Sequence, residues 1–166
     1  MPKRISIYVL IMVLVGVLLN HLSIAQKDDG LLLVVDGREL DIFGMAQEKW
    51  VKLTRDCQRV QRVAVQSKHF LEVQQLIQDY SPPSSKSAHI VNLLTTQDWS
   101  LAEVQFKELL PAFVLIKHDN GKPDIVPNAI WSGETHPWLA GPHIRQYLLN
   151  KVPQVPIQLL NCFDHP

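Results

Sequence analysis

The stretch from Glu108 to Lys122 limits the fold more than any other part of the sequence. Pro111 precedes a continuous apolar run, and Asn120-Gly121 follows that run. Proline ends a helix because it lacks a backbone N–H and clashes with the preceding turn. Asn-Gly readily takes the positive φ angles of tight hairpin turns. The stretch therefore predicts a strand, Ala112–Lys117, that enters a hairpin.

The returning strand is predicted from about Asp124 to Trp131. It contains Pro127, which cannot donate a hydrogen bond to a sheet ladder. This strand should therefore lie at the edge of the sheet or carry a bulge.

The first 25 residues have the plan of a secretory signal peptide. Lys3 and Arg4 precede the run Ile5–Leu19, which is apolar apart from Ser6 and Gly16, and small residues at Ser23 and Ala25 suit cleavage after Ala25. The alternative is an uncleaved membrane anchor, for which the run is short. Either interpretation predicts that residues 26–166 form a single exported domain in the periplasm, attached to the inner membrane only if residues 5–25 remain.

Export determines how the two cysteines are interpreted. Cys57 and Cys162 are the only ones in the chain, and an even number in an oxidising compartment favours a disulfide bond. The alternative is two buried free thiols. No Cys-x-x-Cys sequence is present.

Apolar residues at helical spacing predict three longer helices. The first should run from about Met45 to Arg59, the second should follow an N-cap at Ser67, and the third should begin near Gly141-Pro142. Their predicted buried faces are Ala46, Trp50, Leu53, Cys57 and Val60; Phe70, Val73, Ile77 and Tyr80; and Ile144, Leu148 and Val152.

A fourth, shorter helix is predicted after a capping box formed by Ser100 and Glu103. It should run from Leu101 to about Glu108. With strands at residues 31–35, 60–66 and 89–94, the order becomes β-α-β-α-β-short α-β-β-α. Such alternation predicts an α/β fold whose sheet has parallel pairs and helices on both faces.

Charge and motif content exclude several function classes. Lys+Arg and Asp+Glu both number 16, so no basic excess favours nucleic acid. The histidines lack metal-ligand spacing such as His-Glu-x-x-His. No Gly-rich phosphate loop and no Gly-x-Ser-x-Gly turn occur. The sequence therefore predicts no cofactor, no metal and no catalytic residue.

Residues 60–152 resemble the C-terminal half of thioredoxin-like domains. The resemblance rests on the run Ile90–Asp98, a short helix, Leu110–Ile116, a Gly121 turn, an edge strand and a final helix. It implies a three-layer α/β/α domain with a mixed sheet, in which Pro111 would be the family's cis-proline. Ser67–Phe70 stands where the family places its redox cysteines, and it contains none. Because dithiol exchange needs a thiolate and a resolving thiol, the resemblance implies a domain without oxidoreductase activity.

A signal peptide before a cysteine-poor domain of this kind is similar to exported accessory proteins of bacterial conjugative transfer and integrating conjugative elements. The segments that carry this similarity are Asp98–Phe106 and Ile130–Gly133. It implies a non-enzymatic assembly module of a conjugative type IV secretion apparatus, with an envelope or secretion-apparatus protein as its partner.

The loop from Trp131 to Trp138 is the predicted partner-binding segment. It also carries Glu134 and His136, and interfaces are enriched in tryptophan. The alternative is that these tryptophans close the core beneath the loop. The rival function is a thiol–disulfide oxidoreductase or isomerase that uses Cys57 and Cys162.

Overall fold

The computed structural model describes residues 2–27 and 30–164, and it shows a mixed α/β protein with two antiparallel sheets. The first sheet has the order β1-β2-β3. Its strands are β1 (Leu22–Lys27), β2 (Gly30–Val35) and β3 (Arg38–Leu40). It follows the helix α1 (Pro2–His21). Within the described residues, no helix is both long and apolar enough to cross a membrane.

The second sheet is a five-stranded meander in which each strand pairs with the next along the chain. Its strands are β4 (Gln61–Arg62), β5 (His89–Thr96), β6 (Trp99–Gln105), β7 (Ala112–Asp119) and β8 (Lys122–Ser132). The predicted Asn120-Gly121 turn joins β7 to β8, with φ angles of 53° and 78°. The strand containing Pro127 lies at the sheet edge, and its pairing shifts register opposite Val114 and Ile116. Both predictions for this hairpin are confirmed.

Helices cover both faces of the large sheet. On one face lies α3 (Lys68–Tyr80), which buries Phe70, Val73 and Ile77 against the sheet. On the other face lie α4 (Ala140–Lys151) and α5 (Ile157–Asn161), around a core that includes Phe113 and Leu148. The Ser67 hydroxyl accepts a hydrogen bond from the Phe70 amide at 3.2 Å, so the predicted N-cap is confirmed.

The predicted short helix at Leu101–Glu108 is wrong, because residues 99–105 form the central strand β6. Both neighbours pair with it, and its side chains enter both cores: Leu101 faces the α4 side, whereas Ala102 and Val104 face α3. A capping box contributes two local hydrogen bonds, whereas a central strand forms ladders on both sides and buries both faces.

The parallel pairs predicted from the element order are also wrong. Only Gln97 and Asp98 separate β5 from β6, and Gln97 takes a positive φ of 51°. A two-residue connection can join antiparallel strands, but a parallel pair needs a crossover of a dozen or more residues. Every strand pair in the described residues is antiparallel.

The helix α2 (Ile42–Thr54) buries the face opposite to the one predicted. Trp50 and Leu53 of its expected buried face are 68% and 83% exposed, whereas Gly44 and Glu48 are buried. Glu48 forms an ion pair with Arg145 of α4, and this polar contact determines which side of α2 faces the body. The helix also ends before Arg59, at Thr54.

The disulfide bond between Cys57 and Cys162 is confirmed, with Cα atoms 5.7 Å apart. It joins the segment after α2 to the residue that follows α5. Arg55 donates to both carboxylate oxygens of Asp164, at 2.5 and 3.2 Å, which holds the pKa of that carboxyl below its usual value. The C-terminal segment is therefore attached to α2 covalently and electrostatically. The division of the chain after Ala25 stays a prediction.

Candidate functional site

A cavity of about 330 Å³ lies at the Pro111 end of the large sheet. The ends of β6, β7 and β8, the loop after β8 and the start of α4 surround it. The lining residues are Glu103, Gln105, Pro111, Phe113, Trp131, Gly133, Glu134, Thr135, His136 and Ala140. Three of the four residues predicted to bind a partner therefore surround one cavity beside Pro111.

The floor of the cavity is a row of side chains across three strands. Glu103 pairs with Phe113 across β6 and β7, and Phe113 pairs with Trp131 across β7 and β8. Directly paired residues project from the same face of a sheet. The Phe113 and Trp131 ring centroids are 5.9 Å apart, and Phe113 also packs edge-on against Phe163 of the core. The packed core therefore fixes the half-buried Trp131 ring in place.

The rim is the loop after β8, which carries Glu134 and His136 on its exposed side. Gly133 has a φ of 150°, a conformation that favours glycine. A Cβ atom at this position would lie 3.8 Å from the Trp131 ring. The glycine thus allows the chain to turn away from β8 while it stays close to the indole.

Trp138, the fourth predicted residue, belongs to a different place. It lines a cleft of about 380 Å³ between β2, α2 and α4, close to Gly30. At the edge of this cleft Asp41 accepts from the Gly44 amide at 2.7 Å and from the Leu139 amide at 3.0 Å. One carboxylate thus caps α2 and fixes the backbone at Leu139, just before α4. The neighbouring Trp138 therefore lies in this cleft and not in the Trp131 cavity.

Pro111 is not a cis-proline. The cis peptide bonds of the described chain are Pro82–Pro83 and His136–Pro137. Nor does Pro111 lie beside the Ser67–Phe70 segment, as the thioredoxin-like resemblance implies. The His69 ring contacts His118 at a centroid distance of 4.8 Å, near the far end of β7. At about 3.4 Å per residue, His118 lies about 24 Å along the chain from Pro111.

A second group of polar side chains lies at the His118 end of the sheet. The Ser100 hydroxyl is 2.9 Å from His118 Nε2 and donates to the Thr95 hydroxyl at 3.1 Å. Burial, followed by the charge of His69, lowers the pKa of His118, whereas Asp98 and Glu72 oppose the shift. Ser100 is fully buried, so no substrate can reach its hydroxyl. We interpret this group as a satisfied polar network within the core.

No cluster of three or more His, Cys, Asp or Glu residues suited to a metal ion occurs in the part of the chain that the structure describes. No protein-family model, curated protein or solved structure matches the chain.

Sequence reasoning missed Glu103 and Phe113 as parts of the cavity. The sequence pattern predicts Glu103 as part of a helix cap and Phe113 only as part of the strand Ala112–Lys117. The alternation of β6, in which Glu103 and Leu101 share a face, was the available signal. It predicts the row only once β6 is recognised as a strand.

Proposed function

We propose that this chain is an exported, non-enzymatic protein-binding module that uses the Trp131 cavity to hold a partner during assembly in the cell envelope. The observation that carries the proposal is the meeting of Trp131, Glu134 and His136 beside Pro111. A fixed, half-buried indole with an exposed polar rim is typical of protein interfaces.

The charge of the cavity supports a partner with a basic side chain. Glu103 and Glu134 are acidic, and none of the ten lining residues is lysine or arginine. An arginine or lysine entering the cavity would meet the exposed Glu134 carboxylate, and it could lie over the Trp131 ring, an arrangement that stabilises a cation by about 0.5–2 kcal/mol.

A role as an accessory of a conjugative transfer apparatus is part of the same proposal. A distant thioredoxin-like relationship is also part of the proposal. Helices on both sheet faces and a closing hairpin support it. Antiparallel pairing throughout the described sheets opposes it. The role in conjugative transfer is motivated by the expected export signal and by the two similar segments, Asp98–Phe106 and Ile130–Gly133.

Thiol–disulfide exchange is the second candidate, because Cys57 and Cys162 are bonded. Cys57 follows the C-terminal end of α2, and Cys162 is the residue after α5. The negative end of a helix dipole disfavours a thiolate, whereas reactive cysteines are found at helix N-termini. The location of both sulfurs therefore favours a structural bond.

Site-specific photo-crosslinking tests the proposal. A benzophenone amino acid at His136 should give a discrete crosslinked species in the native envelope, and the same group at Gln75 on exposed α3 should not. Trp131→Ala should weaken the His136 crosslink at least tenfold, and Glu134→Gln should weaken it less. Equal crosslinking from both positions, or a yield that Trp131→Ala leaves unchanged, would remove the cavity from the proposal.

A further inference from the structure

The outward side of α2 is apolar and is covered by no other part of the described chain. We define the α2 outer face as Ile42, Phe43, Met45, Trp50 and Leu53, all of which are exposed; Phe43 lies at its edge, where it also lines the cleft that holds Trp138. Phe43 is 61% exposed, and Trp50 and Leu53 exceed it. The opposite side of the helix makes the attachment through Gly44 and Glu48. An apolar helix face of this size normally packs against a core, so its exposure needs an explanation.

Two lysines accompany the α2 outer face: Lys49, four residues from both Met45 and Leu53, lies within it, and Lys52 lies at its border. Lys49 is exposed, and Lys52 is half-exposed and lies 3.4 Å from Glu48. Glu48 itself pairs with the buried guanidinium of Arg145 and lies on the attached side. The solvent-facing border of α2 is therefore basic, and the surface that covers it should be acidic.

The α2 outer face is not the only outward apolar surface in this part of the chain. In α1, every residue from Ile7 to Val15 is exposed. In the small sheet, register places Ile24, Leu33 and Leu40 in one row across the strands, and Ile24 and Leu40 are exposed. The helix α1, the small sheet and α2 thus turn apolar side chains outward in succession, and large exposed apolar surfaces mark protein or membrane interaction sites.

A second copy of the chain fits the α2 outer face poorly. Phe43, Trp50 and Leu53 of this face, together with Ala46, lie symmetrically about residue 48, so antiparallel pairing of two copies would centre there. The Lys49 residues of the two copies would then be neighbours, and like charges at close range repel. Charge thus disfavours self-association through this face.

We propose that the α2 outer face binds an anionic lipid surface. The helix would lie parallel to that surface, with Phe43, Trp50 and Leu53 at the boundary between headgroups and acyl chains. Lys49 and Lys52 would contact the negative headgroups. Aromatic and aliphatic residues on one side of a helix together with lysines are typical of interfacial helices, and tryptophan rings prefer the membrane interface. This inference does not depend on the partner bound in the Trp131 cavity.

Quenching of Trp50 fluorescence by brominated lipid tests this proposal. The full-length chain is reconstituted with vesicles of equal phosphatidylglycerol and phosphatidylcholine carrying bromine on their acyl chains. The difference between the wild type and Trp50→Phe isolates the Trp50 signal from that of the other three tryptophans. We expect strong quenching of Trp50 and several-fold less when phosphatidylcholine is the only lipid.

Variants in α2 distinguish its lipid binding from that of α1, because α1 is unchanged in all of them. Lys49→Gln and Lys52→Gln should each raise the lipid concentration for half-maximal Trp50 quenching about fivefold, because a lysine near an anionic surface contributes to binding at about that level. Leu53→Ala should also raise it. Leu71→Ala, at an exposed leucine of α3, is the matched control and should leave it unchanged.

Two results would overturn the proposal. In one, the chain floats with the vesicles while Trp50 stays unquenched, which would show that only α1 reaches the lipid. In the other, sedimentation without lipid shows that the chain forms a dimer, or a complex with another protein, and that Trp50→Ala dissociates it. The α2 outer face would then be a protein interface.

Discussion

His118 shows how a single side chain links the sheet to pH. It lies half-buried near the end of β7, bonded to the Ser100 hydroxyl and in contact with the His69 ring. Burial and the charge of His69 lower its pKa in the folded protein.

Glu48 and Arg145, both more than nine-tenths buried, form an ion pair. Two guanidinium nitrogens of Arg145 have no hydrogen-bond partner among the described residues.

The lowered pKa of His118 predicts a loss of stability in mild acid. An unfolded chain, with the ordinary histidine pKa of about 6.5, takes up the proton at higher pH than the folded chain does. The free energy of unfolding should therefore decrease as pH falls through about 6.5 and below. His118→Gln should reduce the difference in urea-unfolding free energy between pH 7.5 and pH 5. His89→Gln, at an exposed histidine of β5, is the control, and an equal reduction there would contradict the assignment.

Removal of one member of the Glu48–Arg145 pair should be costly. Arg145→Met removes the buried partner of Glu48 and leaves only the half-exposed Lys52 beside its carboxylate; removing one member of a buried pair costs about 3–5 kcal/mol. The double variant Glu48→Met/Arg145→Met should be less destabilised than Arg145→Met alone, because no unpaired charge remains. A urea double-mutant cycle measures both, and additive losses would show that the two side chains do not interact.

Among the elements, α2 is attached mainly by polar and covalent contacts. Asp41 caps it, Glu48 binds Arg145, and Cys57 after its end is bonded to Cys162. These attachments leave the apolar stripe outside. The small sheet is attached differently, since Leu32 of β2 is its fully buried residue. Both elements belong to the N-terminal third of the chain, before the large sheet begins.

The disulfide should be a major source of stability for these elements. It closes a loop with a sequence separation of 105 residues, worth about 4–5 kcal/mol in the chain-entropy model. Cys57→Ser/Cys162→Ser should lower the free energy of unfolding by up to that amount, measured in urea. Reductant should lower the free energy of unfolding of the wild type by a similar amount and leave that of the variant unchanged. If reductant had no effect on the wild type, the bond would not contribute in this way.

Cleavage after Ala25 should alter the small sheet. Leu22–Ala25 supply four of the six residues of β1, paired with Leu32–Val35. A chain that begins at Gln26 should therefore lose amide protection in β2, because most of the neighbouring strand is missing. Hydrogen exchange compared between this chain and the full-length one measures the change, with β7 as internal reference. Equal protection of β2 in both would show that β1 does not stabilise it.

At the scale of the whole molecule, the described chain has a well-packed part and a sparsely covered part. The large sheet lies between α3 on one face and α4 with α5 on the other, with a buried cluster on each side. From α1 to α2, many apolar side chains are exposed. The Trp131 cavity opens in the first part, and the α2 outer face belongs to the second, so the two proposed binding surfaces lie on different parts of the described chain.

A matched pair of leucines tests this division. The sequence places both Leu53 and Leu148 on predicted buried helix faces, but Leu53 is 83% exposed whereas Leu148 is fully buried. Leu148→Ala should cost about 2–5 kcal/mol, and Leu53→Ala less than about 0.5 kcal/mol, as is usual at the surface. Urea unfolding measures both. A similar loss at the two positions would mean that α2 packs its stripe inward in solution.

Features with a short-range cause could be predicted from the sequence. The Asn120-Gly121 turn, the Ser67 cap and the edge strand containing Pro127 each depend on a few neighbouring residues. The disulfide was also predicted, although from the expected compartment and not from geometry. Trp131, Glu134 and His136 could be placed together because they lie within six residues at the end of β8 and in the loop after it.

The sequence by itself thus determined the hairpin, the helices α3 and α4, and the pairing of its two cysteines. Only the tertiary structure decided that residues 99–105 form a central strand, because the ladders that hold them come from β5 and β7. It also decided the direction of α2, since the partner of Glu48 lies 97 residues away. The Trp131 cavity depends on the same kind of contact: Glu103, Phe113 and Trp131 meet through strand register, which no local pattern encodes.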